Sequence, residues 1–444
     1  MKKSLLFSLM LSLFFTSCQD VGDNTPLLSN SKKKQPVIIV NKNRHLNIPE
    51  FWIDKLENPH KIIMNEKEIE TFNQNTAHNK HTLTFFKDVN RAYGSSWVKK
   101  SILKNYTGIK SRVSYLEDGN KISRMFYENI KQYLNSEAFL STSVKTRYAL
   151  TTSYCNQKIV PTELALLKKK YEIHFDRNQN SALDIATPIA ILHSTKDGLW
   201  HYGIGPTSSG WVRSENIAFG EREEILNYLN SKSFVVTTAA KTSLKIEGHY
   251  HDYMRMGVRL PSLLKLDDMT MVMVPTADSN GNLILSNATV KTADVHKGYL
   301  KYTAQNILTQ AFKFLHAPYG WGGMYGEQDC SKFLQEIYAT VGVKLPRNSA
   351  SQSNVSDAKL ELSGLSKTSK HTFLKTTAMV AGSILHLKGH IVLYLGEHKG
   401  EPYIIHTVWG SSSRHFALGR TAVTSLNFNN YLGKIDRLTN ITLN

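Results

Sequence analysis

Cys330, His390 and His406 are the residues of this chain whose types and spacing could support nucleophilic catalysis. Cys330 follows a glycine-rich run, Tyr319-Gly-Trp-Gly-Gly-Met-Tyr-Gly326, and stands directly after Asp329. Phe333, Leu334, Ile337, Tyr338 and Val341 then recur at helical spacing, and Gly342 supplies a stop signal. Asp329 occupies the N-cap place, so Cys330 is expected in the first helical turn. Unpaired backbone N–H groups and the helix dipole there favour a thiolate over a thiol.

A cysteine nucleophile needs a base, and histidine is the usual one. The downstream candidates are His371, His386, His390, His398, His406 and His415. The segments 389–395 and 402–408 read as strands joined by a turn-rich stretch, 396–400, and so as a hairpin. Pairing symmetric about His398 sets His390 opposite His406, with Cβ atoms roughly 4.5–5.5 Å apart. His390 would take the proton of Cys330 and later give it to the leaving amine, while His406 holds the His390 ring. His406 also reads as a satisfied strand histidine. His386 shares the parity of His390 and is its main rival, but it lies away from the histidine of the opposing strand. The oxyanion would form at the backbone N–H of Cys330.

The elements that must position these residues belong to a multidomain chain. Its 444 residues exceed what one core holds, and 41% hydrophobic with 20% charged residues is ordinary for a globular protein. Lys2 and Lys3 precede an apolar run, Leu5 to Phe15, and then Thr16-Ser17-Cys18, which reads as an export signal over residues 1–18. The small residues before Cys18 suggest the lipoprotein type, in which Cys18 is lipidated; a plain cleaved signal is the alternative. Gln19 rather than Asp implies, by resemblance to such signals in Gram-negative cells, the periplasmic face of the outer membrane. Residues 19–45 form a polar tether and 46–140 a helical, clip-like segment. Period-two patterning and turn residues indicate two small β-barrels, 141–220 and 221–298. Asp197-Gly-Leu-Trp200 and Ser209-Gly-Trp-Val212 carry a resemblance of the first to bacterial SH3-like domains, which the second shares less clearly. Residues 299–444 hold the catalytic constellation.

Cys155 and Cys330 are the only cysteines after Cys18, which is no disulfide framework. They could pair with each other, but Cys155 reads better as a small buried residue. His249, His251 and Asp252 could suggest a metal site, yet three such residues in four positions are more often a loop surface. No metal or cofactor is expected. The net charge of +18 implies an acidic partner or surface; export and the lack of a recognition motif argue against nucleic acid.

Residues 302–436 resemble the NlpC family of papain-like cell-wall cysteine peptidases. The matching pieces are Pro318-Tyr-Gly-Trp-Gly-Gly323, Asp329-Cys-Ser331, Leu345-Pro-Arg-Asn-Ser-Ala-Ser-Gln352, Lys388-Gly-His-Ile-Val-Leu-Tyr-Leu-Gly396 and His406. A clip-like segment and two SH3-like domains upstream are similar to one architectural branch of that family. The resemblance implies a papain-like α+β catalytic domain, so that the whole chain is multidomain α+β. It also implies hydrolysis of the γ-D-glutamyl–diaminopimelate bond of peptidoglycan stem peptides through a thioester. In that branch the first SH3-like domain restricts the cleft to stems with a free N-terminal L-Ala. On the matching positions, Tyr319, Asp329, Ser331 and Ser349 would line the L-Ala-γ-D-Glu site, with Asp329 facing the ammonium group. The alternatives are a non-catalytic peptidoglycan-binding lipoprotein and a papain-like acyltransferase or amidase.

Overall fold

The computed structural model describes residues 44–410 and 417–443, so Cys18, the export signal, most of the tether and His415 lie outside the described residues. The C-terminal domain is built on a six-stranded sheet. Its order is Lys359–Glu361, Arg437–Asn440, Ser383–Leu387, His390–His398, Glu401–Gly410 and Ala417–Ser425, with the described ladders antiparallel. The helices Ala304–Phe312 and Cys330–Ala339 cover one face. The apolar stripe of the second helix is fully used there: Phe333, Leu334, Ile337, Tyr338 and Val341 pack with Ile391, Leu393 and Ile405. Each such burial contributes about 1.5–3 kcal/mol.

The hairpin carrying the histidines departs from the expected register. Lys399 (φ 52°) and Gly400 (φ 77°) form a two-residue turn between His398 and Glu401, with the positive φ at both positions that a type I′ turn requires. The turn is therefore shorter than the expected 396–400 stretch. Outside, Gly396 pairs with Tyr403; inside, Tyr394 pairs with Ile404 and Leu393 with Ile405. Leu395 is thus an extra residue, a β-bulge at which Gly396 takes φ 108°. Extended past its last pair, Leu393 with Ile405, the inner register sets Val392 opposite His406 and makes His390 and His406 diagonal neighbours rather than opposed. Their shared face depends on the bulge. Carried inward without it, the outer register would put Leu393 opposite His406 and turn His390 to the reverse face.

His386 is also placed differently from expectation. Leu387 pairs with His390 and His386 with Ile391, so a tight turn at 388–389 reverses the parity and puts His386 on the other face. Its Nδ1 lies 2.6 Å from Asp436 Oδ1.

Both barrels are seven-stranded sheets. The first runs Ile217–Gly220, Arg147–Thr151, Pro188–Ser194, Trp200–Ile204, Ser209–Arg213, Cys155–Lys158 and Gln179–Leu183. The second runs His249–Arg255, Lys241–Ile246, Leu283–Lys291, Met269–Ala277, Arg259–Leu266, Phe234–Thr237 and Val295–Lys297. His249, His251 and Asp252 therefore sit on a strand, not a loop. His251 Nε2 is 3.0 Å from the Thr152 carbonyl, and Asp252 accepts from the Tyr154 N–H.

The N-terminal segment packs on two cores. Leu46, Trp52, Met64, Ile69 and Phe72 join the catalytic core, and strand Ile62–Met64 pairs with Tyr302–Thr303. Asn73 on helix Glu66–His78 bonds both Gly342 O and Lys344 N, which ties it to the end of the catalytic helix. Helices Ser95–Lys110 and Arg124–Tyr133 pack instead on the first barrel, around Trp200, Tyr202 and Trp211. A buried charge quartet joins the remaining parts: Asp184 of the first barrel, Arg255 of the second, and Lys332 and Glu336 of the catalytic helix. Two acids and two bases sum to zero, which makes such burial tolerable.

Replacing Gly396 by alanine forces an L side chain into positive φ, 3.3 Å from Val380 Cγ2. The expected loss is about 1 kcal/mol in urea unfolding. An unchanged midpoint would mean the bulge tolerates any residue.

Candidate active site

The glycine-rich approach to Cys330 is a docking surface for the first barrel. Gly322 (φ 63°) and Gly323 (φ 89°) lie so close to strand Gln179–Leu183 that a Cβ would meet Gln179 Cγ at 2.6 Å and Ala182 Cβ at 2.7 Å. Gln179 Nε2 donates to Gly322 O (3.2 Å), Tyr154 OH donates to Gly323 O, and Trp321 Nε1 donates to Asp176 O (3.1 Å). The turn is thereby held from the barrel side before it delivers Asp329.

Asp329 caps the helix as its position suggests, accepting from Lys332 N at 2.9 Å. It does considerably more. Its oxygens also accept from Gly322 N (3.1 Å), Ser331 Oγ (3.0 Å) and Arg347, whose two terminal nitrogens lie 3.2 and 2.6 Å away. Arg347 in turn donates to Ser331 Oγ and, from Nε, to Ser181 Oγ of the first barrel. Burial would raise the Asp329 carboxyl, but the Arg347 guanidinium outweighs it and holds the group below the usual range. The carboxylate expected to face an ammonium group is thus already engaged by a buried cation. Arg347 stood in the quoted Leu345-to-Gln352 motif without a role; the need of a buried Asp329 for a counter-charge was the signal for it.

Cys330 opens the helix Cys330–Ala339, and the Ile391 N–H is near enough to its sulfur to favour the thiolate, so the start of strand His390–His398 lies beside the thiol. His390 Nε2 lies 2.8 Å from His406 Nδ1, and His406 Nε2 lies 3.1 Å from Thr424 Oγ1. Tyr431 covers both rings, at centroid distances of 5.6 and 5.7 Å. The structure therefore brings His390 and His406 together and sets Cys330 beside the strand that carries His390, with Thr424 as a partner that sequence reasoning missed.

The ionisation state differs from the thiolate expected at a helix start. Burial pushes the Cys330 thiol up to about 12, and the Asp329 charge adds to this; the Ile391 N–H and Arg347 pull back. Burial also brings His390 down to about 4, with His386 contributing, and holds His406 well below its usual value. Neither partner of a Cys330–His390 pair carries charge readily alone. In a Cys330–His390 pair, moving one proton from thiol to imidazole would create two charges that compensate each other.

Around this centre stand aromatic side chains from two domains. Phe175 of the first barrel packs against Tyr319, Trp321 and Trp409, at centroid distances of 6.2, 5.3 and 5.4 Å, and His174 lies 4.3 Å from Trp409. The 174–175 segment is thus the part of the first barrel that meets the catalytic domain at Tyr319. Burial keeps the Tyr319 phenol protonated, and the neighbouring Cys330 and Asp329 add to that. Ser349 opens the short helix Ser349–Gln352, two residues after Arg347. A cleft of about 1420 Å³ lies elsewhere: Lys332, Gln335 and Glu336 line it from the catalytic helix, but Cys330, His390 and His406 do not. Cys155 is a free, buried strand residue, and Cys330 is free as well.

A thiol at a helix start, a paired-histidine strand beside it and this α+β framework are the marks of a cysteine peptidase. Residues 316–414 match the NlpC/P60 family model, and residues 166–213 match an SH3 domain of the SH3b1 type. The C-terminal domain is therefore an NlpC/P60 domain, the domain of a family of cysteine peptidases, and the first barrel is an SH3b domain. No curated protein matches the chain. Among solved structures, it is similar to an NlpC/P60 endopeptidase from Photobacterium damselae subsp. piscicida, at 20% identity and TM-score 0.71 over 87% of this chain and 95% of that one. It is also similar to an NlpC/P60 family protein from Bacillus cereus ATCC 10987, at 17% identity and TM-score 0.52 over 66% and 99%. At these identities the likeness is one of fold.

Arg347→Met leaves the buried Asp329 charge without its cation, at an expected cost of about 3–5 kcal/mol in urea unfolding at neutral pH. The pair's contribution is fully present above the ordinary carboxyl value of about 3.9 and is lost as pH falls through the lower folded value. Wild type should therefore lose stability in acid more steeply than the variant. Parallel curves would show that the pair is not coupled to folding.

Proposed function

We propose that the chain is a peptidoglycan hydrolase that cleaves the γ-D-glutamyl–diaminopimelate bond of stem peptides bearing a free N-terminal L-Ala. The observation that carries this reading is the Cys330 helix start beside the strand of the His390–His406 pair, with Phe175 of the first barrel packed on Tyr319 and Trp321. His390 takes the thiol proton, and the sulfur attacks the γ-carbonyl carbon of D-Glu. The oxyanion forms at the Cys330 N–H, which has no intrahelical acceptor at its place in the helix. His390 then protonates the departing diaminopimelate nitrogen, leaving a thioester. A water that gives its proton to His390 attacks the thioester carbon and releases the γ-carboxylate and the thiol. His406 orients the His390 ring.

Tyr319, Asp329, Ser331 and Ser349 contact the L-Ala-γ-D-Glu part. Because Arg347 shares both oxygens of Asp329, the ammonium group meets a compensated carboxylate, and Tyr319 and Ser349 carry more of the recognition. The contacts of Phe175 of the first barrel with Tyr319 and Trp321 support a part for that barrel in the free-amine requirement. We further propose that the protein is exported and anchored through lipidated Cys18 at the periplasmic face of the outer membrane, where its basic surface meets the carboxylates of the wall.

Purified protein is to be mixed with L-Ala-γ-D-Glu-diaminopimelate, its N-acetylated form and intact sacculi, and the products identified by mass spectrometry. The free tripeptide should yield L-Ala-D-Glu and diaminopimelate, and the acetylated form should resist. Equal cleavage of both would remove the free-amine requirement. Cys330→Ala should remove all hydrolysis while folding normally, and retained turnover would refute the nucleophile assignment. His406→Ala should lower kcat by about two orders of magnitude without abolishing it, the order set by loss of an orienting partner; an unchanged rate would make His406 purely structural.

A further inference from the structure

We propose that Thr424 is a positioning residue that sets the tautomer of His406 and, through it, that of His390. The inference deepens the reading above and rests on His390 as the base. Its starting point is the row His390 Nε2···His406 Nδ1 (2.8 Å) and His406 Nε2···Thr424 Oγ1 (3.1 Å). Thr424 is brought there by the sheet: it pairs with Ile404, while His406 pairs with Ala422, so it is a diagonal neighbour of His406 on the same face.

Two neutral rings in a row admit two proton patterns. In the first, His390 Nε2–H donates to His406 Nδ1, and His406 Nε2–H donates to Thr424 Oγ. His390 Nδ1 is then bare and free to accept a thiol proton. In the second, His406 Nδ1–H donates to His390 Nε2, the Thr424 hydroxyl donates to His406 Nε2, and His390 carries its proton on Nδ1. In that state His390 has no basic nitrogen for Cys330. His406 is fully buried, so no solvent can replace the partner of its Nε2. Whether Thr424 accepts or donates therefore decides whether His390 is a base. In the active pattern Thr424 also withdraws the Nε2 proton of His406, which makes Nδ1 a better acceptor when His390 becomes an imidazolium. Tyr431 and Phe428 pack against the His406 ring, and the charged or titratable groups around His390 include His406, Tyr431, His386 and Asp329. Among these ring contacts of His406, none offers Nε2 another acceptor.

The test combines histidine-selective ¹⁵N labelling, with tautomers read from long-range ¹⁵N couplings, and kinetics of Thr424→Val and Thr424→Ser. Wild type should show both His390 and His406 as Nε2–H tautomers. Thr424→Val, isosteric but without the hydroxyl, should lower kcat about ten- to a hundredfold, the range for leaving a buried polar group unpaired, with KM little changed. It should also move the acidic limb of the kcat profile and disturb the His406 tautomer. Thr424→Ser should restore the tautomers and return kcat to within about threefold of wild type. A wild-type His406 in the Nδ1–H form, or a valine variant with wild-type kcat and pH profile, would overturn the proposal. The wild-type spectrum decides even if the variants do not fold. The tautomers are also read in Cys330→Ala, so turnover retained by that variant would sink the catalytic reading while leaving the relay to stand or fall on its spectrum.

Discussion

One buried carboxylate, that of Asp329, is the constraint on which the rest of the site depends. It caps the helix that begins with Cys330, accepts the Gly322 N–H of the approach turn, and binds Arg347, which reaches across to Ser181 of the first barrel. Four pieces of chain are thereby fixed relative to one thiol. The arrangement also explains why a small barrel takes part in a peptidase site. Glycines at 322 and 323 let the barrel strand approach, and the ion pair then locks the approach in place.

Charge in this protein is buried in compensated sets. Asp329 with Arg347 is one set, and the quartet Asp184, Arg255, Lys332 and Glu336 is another, further along the same helix. The reacting pair follows the same rule. Burial disfavours a lone Cys330 thiolate and a lone His390 imidazolium, and in the proposed reaction one proton passes between the two. A helix start alone does not outweigh that burial, because the Asp329 charge opposes the dipole at the same end.

What was legible in the sequence was local. The Cys330 helix follows from an N-cap, an apolar stripe and a glycine stop, and the barrel strands follow from alternation and turn residues. The site histidines were identified through a hairpin register that the structure shifts by two residues. The cause is a two-residue turn and a bulge at Leu395, neither of which alternation encodes. An even shift leaves both side chains on one face, which is why the residues came out together. Arg347, Thr424 and Phe175 were not assigned roles, since each acts through a partner far away in the chain. The division of residues 46–140 between two cores was hidden for the same reason: helical periodicity says which face is buried, not against what.

The central claim is that Cys330 becomes nucleophilic only through His390. It is tested most directly by the rate at which iodoacetamide alkylates Cys330 across pH 4–11, resolved from Cys155 by peptide mapping, in wild type and in His390→Ala. Wild type should react through a plateau near neutral pH, where the proton is shared. The variant should be nearly inert there and gain reactivity only at strongly alkaline pH, as a buried thiol does. Coincident profiles would contradict the coupled pair and leave Cys330 an ordinary cysteine at a helix start.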